Sequence, residues 1–220
     1  MTAEEVKATH VRVLGAELGG IYNALYNEAV WLHLQWQQYR KLFVENEHLD
    51  VLNEAAGALF FIIQQTLADN TILSISRLTG LPKTGQANLT VRLLPKMIRD
   101  PGVARAVEEQ ITLGEPSWHA AKKWRDKHLA HLDLAVALGH GATPLPPVTR
   151  TIIEDALRAI RNVLNRIEKA SFRSEVFYEV REPLDADALV GVIRLGLKFD
   201  ADRHRRLLDG QTLPGDWDES

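Results

Sequence analysis

W-H-A-A-K-K-W-R-D-K-H-L-A-H-L-D, residues 118–133, is the stretch whose reading decides the fold. It holds neither proline nor glycine, so it reads as a helix advancing about 100° per residue. With Arg125 set at 0°, Trp118 and Leu129 lie within about 40°, and Leu132 lies about 20° to the other side. The arginine therefore sits within an apolar stripe. His131 projects about 120° away, with His128 and Trp124 between the two. Asp126 follows Arg125 directly, and Lys122, Lys123 and Lys127 surround it. A guanidinium on a core-facing line needs an anion, because an unpaired buried charge is too costly to keep. Two partners satisfy it: a carboxylate on another helix, or a bound anion, most naturally a phosphate.

The stretches upstream read as helices too. In residues 4–43, Leu14, Leu18, Ile21, Leu25, Ala29, Leu32, Trp36, Tyr39 and Phe43 recur at helical spacing, giving one long helix or two pieces bent at Gly19–Gly20. The aromatic residues there fit a core or dimer interface better than a base-stacking platform. Glu28 and His33 are polar groups that serve either a site or a solvated face. A second helix is expected from about Asp50 to Thr79, with Ala55, Ala56, Leu59, Ile62, Ile63 and Thr66 on its apolar face. Asp69 and Asn70 then break the stripe, and Ser76 and Arg77 follow, the pattern of a buried polar network or a site. Asp69 is one candidate protein partner for Arg125, and Arg77 offers a second guanidinium for phosphate.

Residues 80–87 carry G-x-x-x-x-G without a following K-[ST], which excludes a phosphate loop. A short helix follows Asn88 up to Pro95, and Asp100-Pro101 starts another that Gly114 interrupts. Glu115-Pro116 then opens the motif helix, which ends near Gly139. A proline-rich connector at 142–149 precedes a helix capped by Thr149 or Thr151, with Ile153, Leu157, Ile160, Leu164 and Ile167 as its stripe. F-R-S-E-V-F-Y-E-V, from residue 172, alternates apolar with polar and reads as a short strand or arm. Asp185 caps a last helix to about Leu208.

Arg125, a polar Asp126, four more residues and His131 resemble the R-x(4–6)-H motif of HEPN domains. R-D-K-H-L-A-H-L-D, together with D-N-T-I-L-S-I-S-R-L-T at 69–79, N-L-T-V-R-L-L at 88–94 and W-L-H-L-Q-W-Q-Q-Y-R at 31–40, is similar to the abortive-infection, AbiU-type branch. The resemblance covers roughly residues 15–170. It implies an all-α, HEPN-like bundle of long antiparallel helices, usually dimeric and often a metal-independent endoribonuclease. Residues 1–170 would form that domain, and 171–220 a C-terminal extension of strand or arm plus helix.

Composition bounds the function. The chain has 220 residues, 45% hydrophobic and 25% charged, as in ordinary globular proteins. With no cysteine there is no disulfide, thiolate metal site or thiol nucleophile, which fits a cytoplasmic location. The first residues, M-T-A-E-E-V-K, are unlike a signal peptide, and no membrane span is expected. A net charge of −3 argues against a general nucleic-acid coat, so RNA contact must be local, at 119–131. His128 and His131 are spaced to share a metal ion with Asp133 or His119, yet H-E-x-x-H is absent and the nearby lysines repel a cation. No metal and no cofactor are expected.

The resemblance thus implies RNA cleavage through attack of the 2′-hydroxyl, in anti-phage defence or a toxin–antitoxin system. Arg125 would stabilise the phosphate, His131 would act as general acid or base and Asp126 would orient them. His128, Arg77, Lys122, Lys127 and Asp69 are expected nearby as substrate-binding groups. The implied partners are RNA, a second copy of the chain and an antitoxin or regulatory protein. A non-catalytic helical interaction or RNA-binding module is the alternative, with Arg125 paired internally.

Overall fold

The computed structural model describes residues 2–44, 46–81, 88–126, 148–179 and 185–213. Among them are seven α-helices and no strand, an all-α architecture as expected. The helices are α1 (Ala3–Leu14), α2 (Ala16–Phe43), α3 (Asn46–Thr79), α4 (Leu94–Met97), α5 (Pro101–Trp124), α6 (Arg150–Phe172) and α7 (Ala186–Leu208), with a 3-10 turn at Val91–Leu93. Two compact units result. One comprises Met1–Trp36 and Leu67–Val180, the other Gln37–Thr66 and Arg181–Ser220. The second unit thus takes in the end of α2, the first part of α3 and the C-terminal helix.

In the first unit, α1 opens with a capping box in which Glu5 N–H donates to Thr2 Oγ1 and Thr2 N–H to Glu5 Oε2. The chain breaks at Gly15, whose φ of 88° favours glycine, and not at Gly19–Gly20. Gly19 has a different task. A Cβ there would lie 2.6 Å from the His10 carbonyl oxygen, so it lets α2 pass close against the end of α1.

Helix α5 runs unbroken through Gly114 and Pro116, where the sequence suggested an end and a fresh start. Proline removes one backbone bond, but the turn is clamped by Trp118, whose indole N–H donates to Ala156 O at 3.1 Å on α6. Gly114 leaves room for that ring, since a Cβ would sit 2.5 Å from Trp118 Cζ2. On α6, Thr149 caps the first turn and Ile153, Leu157, Ile160, Leu164 and Ile167 are all buried, as their spacing predicts.

Residues 174–179 form an arm and not a strand. Asn165 replaces the missing neighbour: its side-chain amide accepts from Val176 N–H at 3.0 Å and donates to Val176 O at 3.2 Å. The alternation survives locally, with Phe177 exposed and Tyr178 buried. Tyr178 joins an aromatic cluster with Tyr26 and His33, and Tyr22, Tyr26 and Phe172 gather around His10. Beneath it the Tyr22 hydroxyl donates to Glu168 Oε2 at 2.6 Å, and Ser174 Oγ to Oε1 at 2.7 Å. Burial and that carboxylate push the Tyr22 hydroxyl far above its ordinary value. The N-terminal aromatic residues are therefore mostly core, with Trp31 the exposed exception.

In the second unit, Lys41 forms ion pairs with Asp185 and Asp187, and Gln38 Oε1 accepts from Ala186 N–H at 2.9 Å. Asp185 caps α7. Helix α3 is kinked at Ala56, just before Gly57. Its expected apolar face is turned outward: Leu59 and Ile62 are 55% and 61% exposed, and Phe61 beside them 61%. Leu189, Val192, Leu195 and Phe199, at helical spacing on α7, are exposed too. His48–Thr79 is long and apolar enough to cross a membrane by length and composition alone, and 17% of its most apolar window is buried.

Candidate functional site

Helix α5 carries the motif to its last described turn. Asp100 starts that helix by accepting from Gly102 and Val103 N–H, and Pro101 fits its first position. Trp118 locks its far half to α6, so the direction in which residues 122–126 leave the core is fixed. At Arg125–Asp126 the backbone widens into a π-type turn, a local rewinding that often accompanies function. The Arg125 N–H reaches both Ala121 O and Lys122 O.

Arg125 is half-buried, its side chain 28% exposed. Its Nε donates to Asp126 Oδ1 at 2.8 Å, and its Nη2 bonds the same oxygen. The carboxylate on the guanidinium is thus that of its neighbour, and the internal bridge to Asp69 suggested by the sequence does not form. One turn back, Lys122 is exposed on the same side of α5 as His119 and Glu115. His131, His128 and Lys127 lie outside the described residues. Arg77 points to solvent and pairs loosely with Glu28 at 3.7 Å. The polar break in α3 is real: Asn70 Nδ2 donates to Gln35 Oε1 at 2.9 Å, and half-buried Asp69 precedes it. Of the expected residues, Arg125, Asp126 and Lys122 come together on one helix end.

Two groups near that end, Arg92 and Glu115, escaped the sequence reading as site residues, and a third, Ser76, was marked by the polar break in α3. Arg92, in the 3-10 turn, lies over the Trp118 ring at 5.7 Å, donates from Nε to Thr79 O at 2.6 Å, and pairs with Glu115. That pairing holds the Glu115 carboxyl below its ordinary value. Ser76 contributes a buried hydroxyl. Arg92 stands within a tract that carried the family resemblance, so the signal was present but without a role attached. Among the described residues no cluster of histidine and acidic side chains is arranged to hold a metal ion.

The fold and this helix end define the class, an all-helical protein with an Arg-Asp pair where α5 leaves the core. The AbiU2 family model of HEPN domains matches residues 15–189, and the chain belongs to that family. No curated protein and no solved structure matches it.

Proposed function

We propose that the chain is a metal-independent endoribonuclease of HEPN type, acting in the cytoplasm in abortive infection or a toxin–antitoxin system. The observation that carries this reading is Arg125, a half-exposed guanidinium held in position by Asp126 at the end of a clamped helix. A guanidinium so placed suits a phosphodiester, which it grips through two parallel N–H donors. The 2′-hydroxyl of the RNA attacks the adjacent phosphorus and its proton passes to a base. The 5′-oxygen leaves with a proton from an acid, giving a 2′,3′-cyclic phosphate and a 5′-hydroxyl. His131 takes one of these proton transfers, as imidazole does near pH 7, with His128 as auxiliary. Arg125 stabilises the charge developing on the phosphate. A second copy of the chain supplies the facing half of the cleft, and an antitoxin or regulatory protein restrains it.

A second reading is a non-catalytic interaction or RNA-binding module, favoured by the fact that the Arg125 guanidinium already has a carboxylate on it. Inducible expression of wild type beside His131→Ala, scoring growth and mapping RNA ends, separates the two. Growth arrest with new 5′-hydroxyl ends, lost in the variant, is the expected result. Arrest equal in both, with no new ends, favours the module.

A further inference from the structure

Between the C-terminal end of α3, the 3-10 turn and one face of α5 lies a pocket of about 220 Å³, all within the first compact unit. Of the residues that line it, Ser76 and Thr79 are buried, Arg92 and Glu115 half-buried, and His119 and Lys122 exposed. Ser76 is 2% exposed, and its hydroxyl has no hydrogen-bond partner among the described residues. A buried hydroxyl left unpaired costs stability, so its retention against a cavity marks a group that a ligand satisfies. Arg92 uses Nε on Thr79 and Nη1 on Glu115, which leaves Nη2 without a partner among the described residues.

The charge pattern selects the ligand. The buried end holds the last carbonyls of α3, which carry partial negative charge, and beside it the Glu115 carboxylate offsets the Arg92 charge. A phosphate finds no net positive charge there. A flat group with both donors and acceptors on its edge does find partners: it meets Arg92 as a donor, Glu115 as an acceptor and Ser76 as either. The exposed side chains of His119 and Lys122 stand at the outer side, and the Lys122 ammonium is one helical turn from Arg125, about 5 Å along the axis. Base inside and phosphate outside is the layout of a nucleotide.

We propose that this pocket binds the nucleobase of the nucleotide beside the cut phosphate, with guanine preferred. The O6 and N7 acceptors of guanine suit the Arg92 guanidinium, and its N1–H and N2–H donors suit the Glu115 carboxylate. This deepens the ribonuclease reading and rests on it for the position of the cut, but mononucleotide binding itself requires no chemistry.

Calorimetry on the full chain with guanosine, adenosine, cytidine and uridine 5′-monophosphates tests it. Saturable binding of the guanosine nucleotide, about tenfold or more tighter than the others, is expected. Glu115→Gln and Ser76→Ala should each weaken it by about tenfold. Ser76→Ala also removes an unpaired hydroxyl, so its melting temperature should not fall. Equal binding of the four nucleotides, binding of none, or unchanged affinity in Ser76→Ala overturns the assignment. A wild type that cleaves RNA yet binds no mononucleotide rejects the pocket and spares the ribonuclease. One that binds the guanosine nucleotide yet cleaves nothing does the reverse.

Discussion

Arg125 donates from Nε to the carboxylate of Asp126, its immediate neighbour, at 2.8 Å. A pair between adjacent residues staples nothing distant together. It orients the guanidinium while leaving it partly open to solvent. Arg125→Ala should therefore change stability by about 1 kcal/mol at most, the range of exposed pairs. Breaking a buried bridge to another helix would instead cost about 3–5 kcal/mol. Cleavage should fall about 10²–10³-fold in kcat, the loss seen when one preorganised donor is removed from a transition state. Arg125→Lys should not restore it, since an ammonium lacks the fork. Asp126→Asn, which keeps an acceptor oxygen, should lose less than Asp126→Ala. Urea melts beside cleavage assays check all four, and a collapsed melt in Arg125→Ala would refute the orienting role.

Cleavage should persist in EDTA and stop when the 2′-hydroxyl at the cut site is replaced by hydrogen. The reaction proposed draws its nucleophile from the RNA and its proton transfers from side chains, so a chelator removes nothing it uses. His131→Ala should lower the rate about 10²–10⁴-fold and flatten one limb of the pH–rate profile. Gel assays on paired ribose and deoxyribose substrates decide it. Cutting of the deoxy substrate, or activity that returns only with a divalent ion, counts against the mechanism.

Much of this was legible in the sequence because it is local. The Asp100-Pro101 start, the Thr149 and Asp185 caps and the buried stripe of α6 each depend on a few neighbouring residues, and each stands as read. The misreadings share one cause, a distant partner. Gly114 and Pro116 look like breakers until Trp118 is seen docked on Ala156. Of the two readings of the tract after Phe172, strand or arm, the arm holds over 174–179 because Asn165 takes the place of a strand neighbour. The apolar face of α3 marked a buried surface, but a single chain leaves Leu59 and Ile62 outside. At the site, the family motif pointed to Arg125 and Asp126. Arg92 and Glu115, separated by 23 positions, meet only through the turn that carries Arg92 over Trp118.

The exposed apolar side chains of the second unit should be covered by a second copy of the chain. Leu59, Phe61 and Ile62 on α3, and Leu189, Val192, Leu195 and Phe199 on α7, are more apolar surface than a monomer usually leaves to water. Sedimentation at micromolar concentration should show a dimer, and Val192→Glu with Leu195→Glu should shift it to monomer. Both positions face solvent, so the variant should keep its helical circular dichroism. A wild type that sediments as monomer but floats with lipid vesicles would assign the surface to a membrane, as the composition of His48–Thr79 permits.

His33 should make the first unit acid-sensitive. Its Nδ1 lies 2.7 Å from Ala29 O and its ring 4.8 Å from that of Tyr178, and burial lowers its pKa to about 4. In the unfolded chain the imidazole titrates near pH 6.5. Between those values the unfolded state binds a proton that the folded state refuses, so stability rises with pH across that window and falls on acidification. The loss is on the order of 3 kcal/mol from pH 6.5 to pH 4. Urea titrations at pH 7, 6 and 5 should show it, and His33→Gln should flatten the slope. A wild type and variant with parallel slopes would remove His33 from the account.

Alanine should have opposite effects at two helical glycines. Alanine is the better helix former by about 0.5–1 kcal/mol, so the exchange stabilises wherever a methyl group fits. At Gly196 in α7 a Cβ meets nothing within 4 Å, and Gly196→Ala should raise stability by about that amount. At Gly114 the same Cβ lands 2.5 Å from the Trp118 ring, which is fully packed and anchored to Ala156. The ring cannot retreat without breaking its hydrogen bond, so overpacking should win and Gly114→Ala should cost about 1–3 kcal/mol net. The pair is measured by urea unfolding, with Trp118 fluorescence read for the α5 site. Equal stabilisation at both positions would mean that Trp118 is not held as described, and the clamp that aims Arg125 would lose its basis.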